Sequence, residues 1–394
     1  MKIAVFHNLP SGGALKALSQ KIRLWKKRGH KIFLYTFSTS DRNFVIFENL
    51  CDSYQVLPLD FESIGGVGGY HRQMRAIAEM INASGADLAW IEKCRYFGSP
   101  PLLGFLKKPF IFYTQEPLRI SAYEALAESA PGALSSFFSW PSMAWIGKFK
   151  KACRHFHVKH QDRKAIQAVH RLWTNSWYTR RWLQRVYGVD ARVVYQGVDA
   201  EFFRPDSTVE RESVVLSVGR LDSKKGHHFL IGVLSRIPKI NRPQLAIAHD
   251  TFEASYQRYL LGEAKRHEVK IKFFYRISEE ELRTQYQRTS LVLCPAIHEP
   301  FGLVPLEAMA CATPVLAVNE GGFKETVVDG KTGFLLPRDP EVWARKIQEF
   351  FQDSLAKRKL GEAARAHILE KWTWDSFLCQ FEKEAGISTE ALHA

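Results

Sequence analysis

Short apolar runs rich in β-branched and aromatic residues alternate with longer segments whose apolar positions recur every three or four residues. "KIAVF" near the start is followed by helical spacing from about Ala14 to Arg28, and then by "KIFLYTF". "DLAWIE", "PFIFYT" and "RLWTNS" follow. This alternation predicts a parallel sheet with helices on both faces. "IGGVGGY" (Ile64–Tyr70) has four glycines and precedes helical spacing over roughly His71–Ile81. It reads as a mobile loop or a plain flexible turn. The stretch "QGVDAEFFRPDSTVERE" (Gln196–Glu212) is polar, holds Gly197 and Pro205, and reads as a linker. The pattern then restarts with "SVVLSVGRL", "QLAIAH", "KIKFFY", "LVLCP" and "TPVLAV". Helical spacing closes the chain over about Pro340–Phe351, Leu355–Glu370 and Trp374–Glu384. The expectation is an α/β protein of two Rossmann-like, doubly wound domains facing a central cleft. Their bounds are 1–195 and 213–373, with a linker at 196–212 and a closing segment at 374–394. In such sheets ligands bind beyond the carboxyl ends of the strands.

Length agrees, since 394 residues exceed one ordinary core. A hydrophobic share of 46% with 24% charged residues is that of a globular chain. The longest uncharged stretch, Gly132–Gly147, contains Pro141 and is too short to span a bilayer. The N-terminal apolar run breaks too early for a signal peptide. Neither a membrane span nor a leader is expected. The six cysteines are scattered without a CxxC pair, which points to reduced thiols in a cytoplasmic protein rather than to disulfides or zinc.

Charge changes the picture of the first half. The net charge is +14, and residues 1–200 hold 28 Lys/Arg against 14 Asp/Glu, while residues 201–394 hold 27 of each. The whole excess lies in the first half, which implies an anionic partner there.

The candidate chemistry lies in the second half. "HEPFGLVPLEAMACATPV" (His298–Val315) places Glu299 in the loop after a buried strand and Glu307 in the helix after that loop. Gly302 allows a ligand close to the backbone. The helix N-terminus at Gly302–Val304 offers amides and the positive dipole end to an anion. An ionised carboxylate accepts two hydrogen bonds from a vicinal diol. The stretch suits a phosphate and two sets of sugar hydroxyls. In "SVGRLDSKKGHHFL", Arg220 and Lys225 share one strand-to-helix loop facing the same cleft. Arg can clamp a diphosphate bidentately, and Lys adds a point charge.

"GRLDSKKG", "HEPFGLVPLEAMACATPV" and "EGGFKETVVDGKTGFLL" together resemble glycosyltransferase family 4, retaining enzymes of the GT-B fold. The resemblance covers most of residues 213–377. It extends weakly into the first half through "NSWYTRR" (Asn175–Arg181) and "VVYQGVD" (Val193–Asp199). It implies that Arg220 and Lys225 bind the donor diphosphate and stabilise the departing charge. It implies that Glu299 contacts the transferred sugar and that Glu307 holds the nucleotide ribose. Phe301, Gly302 and Leu303 would lend backbone amides, and Gly12 and Gly13 resemble the loop that closes under the phosphates. The last helix would cross back to the first domain. Where many members carry a histidine, "YTQEPLR" has Gln115; Glu116 and Arg119 remain candidates for acceptor contact or positioning. The donor would be a UDP- or GDP-linked sugar, and neither a further cofactor nor a metal is implied.

In the first half, "WIGKFKKACRHFHVKHQDRK" mixes basic and aromatic residues, with Phe137, Phe138 and Trp140 just before it. Such a mixture suits an interfacial helix on anionic lipid. Phe137–Lys164 is therefore expected to give peripheral contact with the cytoplasmic face of a membrane, and the acceptor to be a lipid-linked or envelope glycan precursor. Two other readings stand beside this one: a GT-B nucleotide-sugar epimerase, and a basic nucleic-acid-binding protein. The second has no recognised nucleic-acid motif in its favour.

Overall fold

The computed structural model describes residues 1–41, 44–59, 66–118, 145–250 and 253–386, with side chains at all of these except 66–67 and 145–155. The chain divides into two compact units, Met1–Val194 and Tyr195–Thr389.

Among the described residues, the first unit is built on a seven-stranded sheet. Its strands are β1 (Lys2–Asn8), β2 (Lys31–Phe37), β3 (Ser53–Leu57), β4 (Leu88–Cys94), β5 (Phe110–Thr114), β6 (Leu172–Thr174) and β7 (Arg192–Val193). The spatial order is β3-β2-β1-β4-β5-β6-β7, and neighbouring strands run parallel. β1 and β4 are buried almost throughout, as strands covered on both faces must be. The helix Gly13–Lys27 buries Leu15, Leu18, Ile22 and Trp25, a stripe at the helical period.

The glycine-rich stretch differs from the loop or turn that the sequence suggests. A helix runs over Gly66–Ala83, so Gly66–Tyr70 form its first turns. Tyr70 supplies the reason. It is fully buried, its ring stacks on Phe97 at 5.1 Å, and its hydroxyl lies 2.5 Å from Cys94 Sγ. That tertiary anchor outweighs the poor helix propensity of glycine.

The second unit has a six-stranded sheet: β8 (Glu212–Val218), β9 (Gln244–His249), β10 (Ile271–Tyr275), β11 (Thr289–Cys294), β12 (Val315–Val318) and β13 (Gly333–Leu336). The order is β10-β9-β8-β11-β12-β13, again parallel. Chain progression reverses between β8 and β11, which makes the space beyond their carboxyl ends the topological switch point of this sheet. Gln196–Arg211 has neither helix nor strand. It nevertheless inserts Val198, Ala200 and Phe203 into the core of the second unit. The helix Trp374–Ala385 buries Trp374, Phe377, Leu378 and Phe381 on one face.

Candidate active site

Two loops flank the switch point of the second unit. The first follows β8. A Cβ on Gly219 would lie 3.2 Å from Lys225 Cδ, so the bare backbone lets the lysine stem lie flat across it. Asp222 shapes the turn between them. Its carboxylate accepts the N–H of Lys224 and Lys225 at 3.1 and 3.2 Å and pairs with Arg220 at 3.1 Å. Gly226 has φ 73°, and a Cβ there would meet Pro295 O at 2.6 Å. Ile297 N–H donates to Lys224 O at 2.9 Å. The loop after β8 is thereby docked on the loop after β11.

His227 braces the first loop from below. It is fully buried; its Nε2 lies 3.2 Å from Arg220 O and its Nδ1 3.2 Å from Ser217 Oγ. A carbonyl only accepts, so Nε2 carries the proton and Nδ1 accepts from the serine hydroxyl. Burial lowers its pKa to about 4.

The second loop carries Glu299. His298, just before it, sits at φ 52°, a left-handed conformation that a non-glycine residue rarely adopts. Three contacts hold it. His298 N–H donates to Glu320 Oε1 at 3.1 Å, Arg338 Nη2 donates to the same oxygen at 3.1 Å, and Arg338 Nη1 donates to Pro295 O at 2.8 Å. Gly321 and Gly322 close the loop from the β12 side. Gly322 N–H donates to Glu299 O at 2.7 Å, and a Cβ on Gly322 would lie 2.5 Å from Phe301 Cα. In this cradle Glu299 Oε2 lies 2.6 Å from Lys225 Nζ.

The helix Leu303–Ala310 follows. Gly302, at φ 103°, is its N-cap and, as a glycine, gives the first-turn amides no side-chain cap. Glu307 lies inside this helix, 7% exposed, and its Oε2 accepts from Tyr286 Oη at 2.8 Å. Phe301 is buried beside Trp372 and Tyr195, with ring centroids 5.7 and 6.1 Å away. Its side chain anchors the loop and leaves only its backbone for ligand contact. Arg220, Lys225, Glu299, Phe301, Gly302, Leu303 and Glu307 thus all belong to one assembly of the second unit. The arrangement offers two cations and a helix N-terminus to an anion, with carboxylates for hydroxyl groups.

The other expected residues belong to the first unit. Gly12 caps the helix Gly13–Lys27 at φ 124°, and a Cβ there would meet none of the described residues within 4 Å. Backbone conformation rather than crowding selects this glycine. Glu116, two residues past β5, pairs with Lys93 near the carboxyl end of β4. Gln115 is 8% exposed, and its Nε2 has no hydrogen-bond partner among the described residues. Arg119 and residues 120–144 lie outside the described residues, and so does the first part of the basic aromatic segment. Among the described residues, no group of three His, Cys, Asp or Glu could hold a metal ion, and no helix is long and apolar enough to cross a membrane.

Sequence reasoning missed Tyr286, His227, Glu320, Arg338 and Lys93. None stands in a recognisable motif of its own. Glu320 directly precedes the quoted glycine pair, and His227 follows "KKG", so adjacency was the one available signal.

Residues 199–367 match the family model described as glycosyl transferases group 1. The glycogen synthase of Mycobacterium tuberculosis is 33% identical over 166 residues, 41% of this chain and 39% of that protein. The matched stretches cover between 23% and 52% of the curated relatives' own lengths. Among solved structures, Anabaena HepE in complex with UDP and glucose superposes with a TM-score of 0.76 at 18% identity, covering 98% of this chain and 99% of that one. Sucrose-phosphate synthase from Thermosynechococcus elongatus gives 0.74 at 20% identity, covering 97% of each. At these identities the structures establish the fold, and the two parallel α/β units are those of the GT-B fold. Residues 199–367 are similar in sequence to the group 1 glycosyl transferases.

Proposed function

We propose that the protein transfers a hexose from a nucleoside-diphosphate sugar to an acceptor hydroxyl, with retention of configuration. The observation that carries this reading is the pairing of the Arg220–Lys225 loop with the Glu299 loop at the switch point, beside an uncapped helix N-terminus. Arg220 and Lys225 take the diphosphate, and the amides of Phe301, Gly302 and Leu303 complete its cradle. Glu299 accepts hydroxyls of the transferred sugar and Glu307 those of the ribose. Gly12 and Gly13 close under the phosphates with their backbone, and Glu116 and Arg119 contact or position the acceptor. In the reaction the bond from the anomeric carbon to the diphosphate oxygen breaks. The acceptor oxygen bonds that carbon, and its proton leaves with the diphosphate. Fixed cations and amides stabilise the departing charge without reorganisation.

A UDP- or GDP-linked donor fits these roles, and the HepE complex with UDP and glucose supports the first. The acceptor in this reading is a lipid-linked or envelope glycan precursor at the cytoplasmic face of an anionic membrane. Support comes from the helix Trp145–Gln167, where Phe156 is 74% exposed next to exposed His157, His160, Arg163 and Lys164.

The test is nucleotide release from UDP-, GDP- and ADP-sugars with anionic liposomes present, and Glu307→Ala as control. Slow hydrolysis of one donor, lost in the variant, supports the transferase. Failure of every donor to react, together with failure of the free nucleotides to bind, rejects it.

A further inference from the structure

A carboxylate with only 7% exposure needs donors to offset its lost hydration. For Glu307 the structure supplies Tyr286, a fully buried phenol on the helix Glu279–Arg288, whose hydroxyl donates to Oε2 at 2.8 Å. Burial, and then the charge of Glu307, push this phenol well above its ordinary pKa, so it stays a donor throughout the working range. The ring is itself fixed. Phe203 packs edge-on at 5.9 Å, and Thr313 Oγ1 donates to Tyr286 O at 2.6 Å. Arg211 ties the assembly together. Its Nη1 donates to Thr313 Oγ1 at 2.8 Å, and its Nη2 donates to the carbonyls of Cys311 and Ala312 at 3.2 and 3.0 Å. Those carbonyls end the helix that carries Glu307. One guanidinium therefore holds the tyrosine's main chain and the glutamate's helix in register.

We propose that Tyr286 is a positioning residue for ribose recognition: by engaging Oε2 it fixes the Glu307 carboxylate in the one orientation that accepts the diol. This rests on the reading of Glu307 as the ribose ligand. A hydroxyl that merely filled the core would leave no trace in how the site treats the ribose.

The test compares binding of UDP or GDP, whichever the wild type binds, with its 2′,3′-dideoxy form, in wild type, Tyr286→Phe and Glu307→Gln. Hydrogen bonds from the diol to a fixed carboxylate give the ribose form an advantage of about tenfold or more in wild type. In Tyr286→Phe this ratio falls to about threefold, while affinity for the dideoxy form stays within about twofold. With the sugar donor, KM rises more than kcat falls. If Glu307→Gln collapses the ratio and Tyr286→Phe preserves it, the positioning role is overturned and the ribose reading stands. If Glu307→Gln preserves the ratio, both fall. A measurement free of folding defects uses 3-fluorotyrosine at position 286. Its fluorine resonance moves with the ribonucleotide and not with the dideoxy form, and an equal response to the two overturns the proposal.

Discussion

Lys225 and Glu299, which the proposed reaction assigns to adjoining parts of the donor, its diphosphate and its sugar, are partners of each other in the ligand-free site, with Nζ 2.6 Å from Oε2. They lie 74 positions apart in the chain, on the two loops that flank the switch point. An arriving diphosphate must therefore take Lys225 from a carboxylate. The pair is partly exposed, 28% and 22%, so its worth is about 1 kcal/mol. Glu299→Gln should tighten binding of the free nucleoside diphosphate by about fivefold, since 1.4 kcal/mol is a factor of ten. The same variant should slow sugar transfer by about a hundredfold or more, because the hydroxyl acceptor is weakened where charge develops. Calorimetry and steady-state kinetics on one preparation check both. Weaker nucleotide binding in the variant would sink the idea that the two groups compete.

The second unit should lose stability in mild acid because of His227. Its folded pKa is lowered by burial to about 4, against an unfolded value near 6.5. The unfolded chain therefore binds the proton first. The neutral ring's contribution is complete above pH 6.5 and is lost as pH falls through that value toward 4. The difference corresponds to about 3 kcal/mol at most. Denaturant midpoints for the second unit should decline over this window, and His227→Gln should flatten the decline. An equal slope in the variant would assign the acid sensitivity elsewhere.

Much of this architecture was legible, and the failures have identifiable causes. "QLAIAH" is β9 to the residue, because its apolar run is uninterrupted and its ends are polar. β3 went unseen because it is a half-exposed edge strand with no continuous apolar run. Gln196–Arg211 read as a linker because its three core residues are spaced irregularly among polar ones. At the site, Glu299 and Glu307 stood out through their flanking glycine and helix signals. Tyr286 did not, since it is one of two buried positions of a helix that is otherwise mostly charged and polar. That Lys225 and Glu299 touch is a property of the sheet order, which no local pattern encodes.

Gly322 offers a test of the cradle around Glu299. A Cβ there would lie 2.5 Å from Phe301 Cα and from Pro300 O, both backbone atoms that cannot rotate aside. Gly322→Ala should therefore push the Glu299 loop off the β12 turn, breaking the 2.7 Å hydrogen bond from Gly322 N–H to Glu299 O. The cost should be about 1–3 kcal/mol, typical of overpacking. Donor affinity should fall, and the unfolding of the first unit should stay unchanged. Gly330→Ala serves as the control, since a Cβ there meets nothing within 4 Å, although its φ of 70° adds a smaller strain. Comparable donor affinity in both variants would show that the close approach does not hold the loop.

The first unit contains an ion pair with no exposure. Lys21 Nζ lies 2.8 Å from Glu92 Oε1, and both side chains are 0% accessible. Trp90 Nε1 donates to the same oxygen at 2.9 Å, and the ammonium lies 3.8 Å from the centroid of the Tyr113 ring. Burial lowers the lysine's pKa and the glutamate opposes that shift, so the lysine's charge depends on the glutamate. Removing one partner should strand a buried charge. Lys21→Met should destabilise the first unit by about 3–5 kcal/mol. Lys21→Met combined with Glu92→Leu should cost far less than the sum of the two single changes, because it removes both desolvation penalties and leaves an apolar pocket among Trp25, Trp90 and Tyr113. Denaturation followed by tryptophan fluorescence, with all four proteins compared, gives the coupling directly. Additive costs would mean that the two groups stabilise the sheet independently and that the aromatic contacts of Lys21, not its charge partner, keep it in the core.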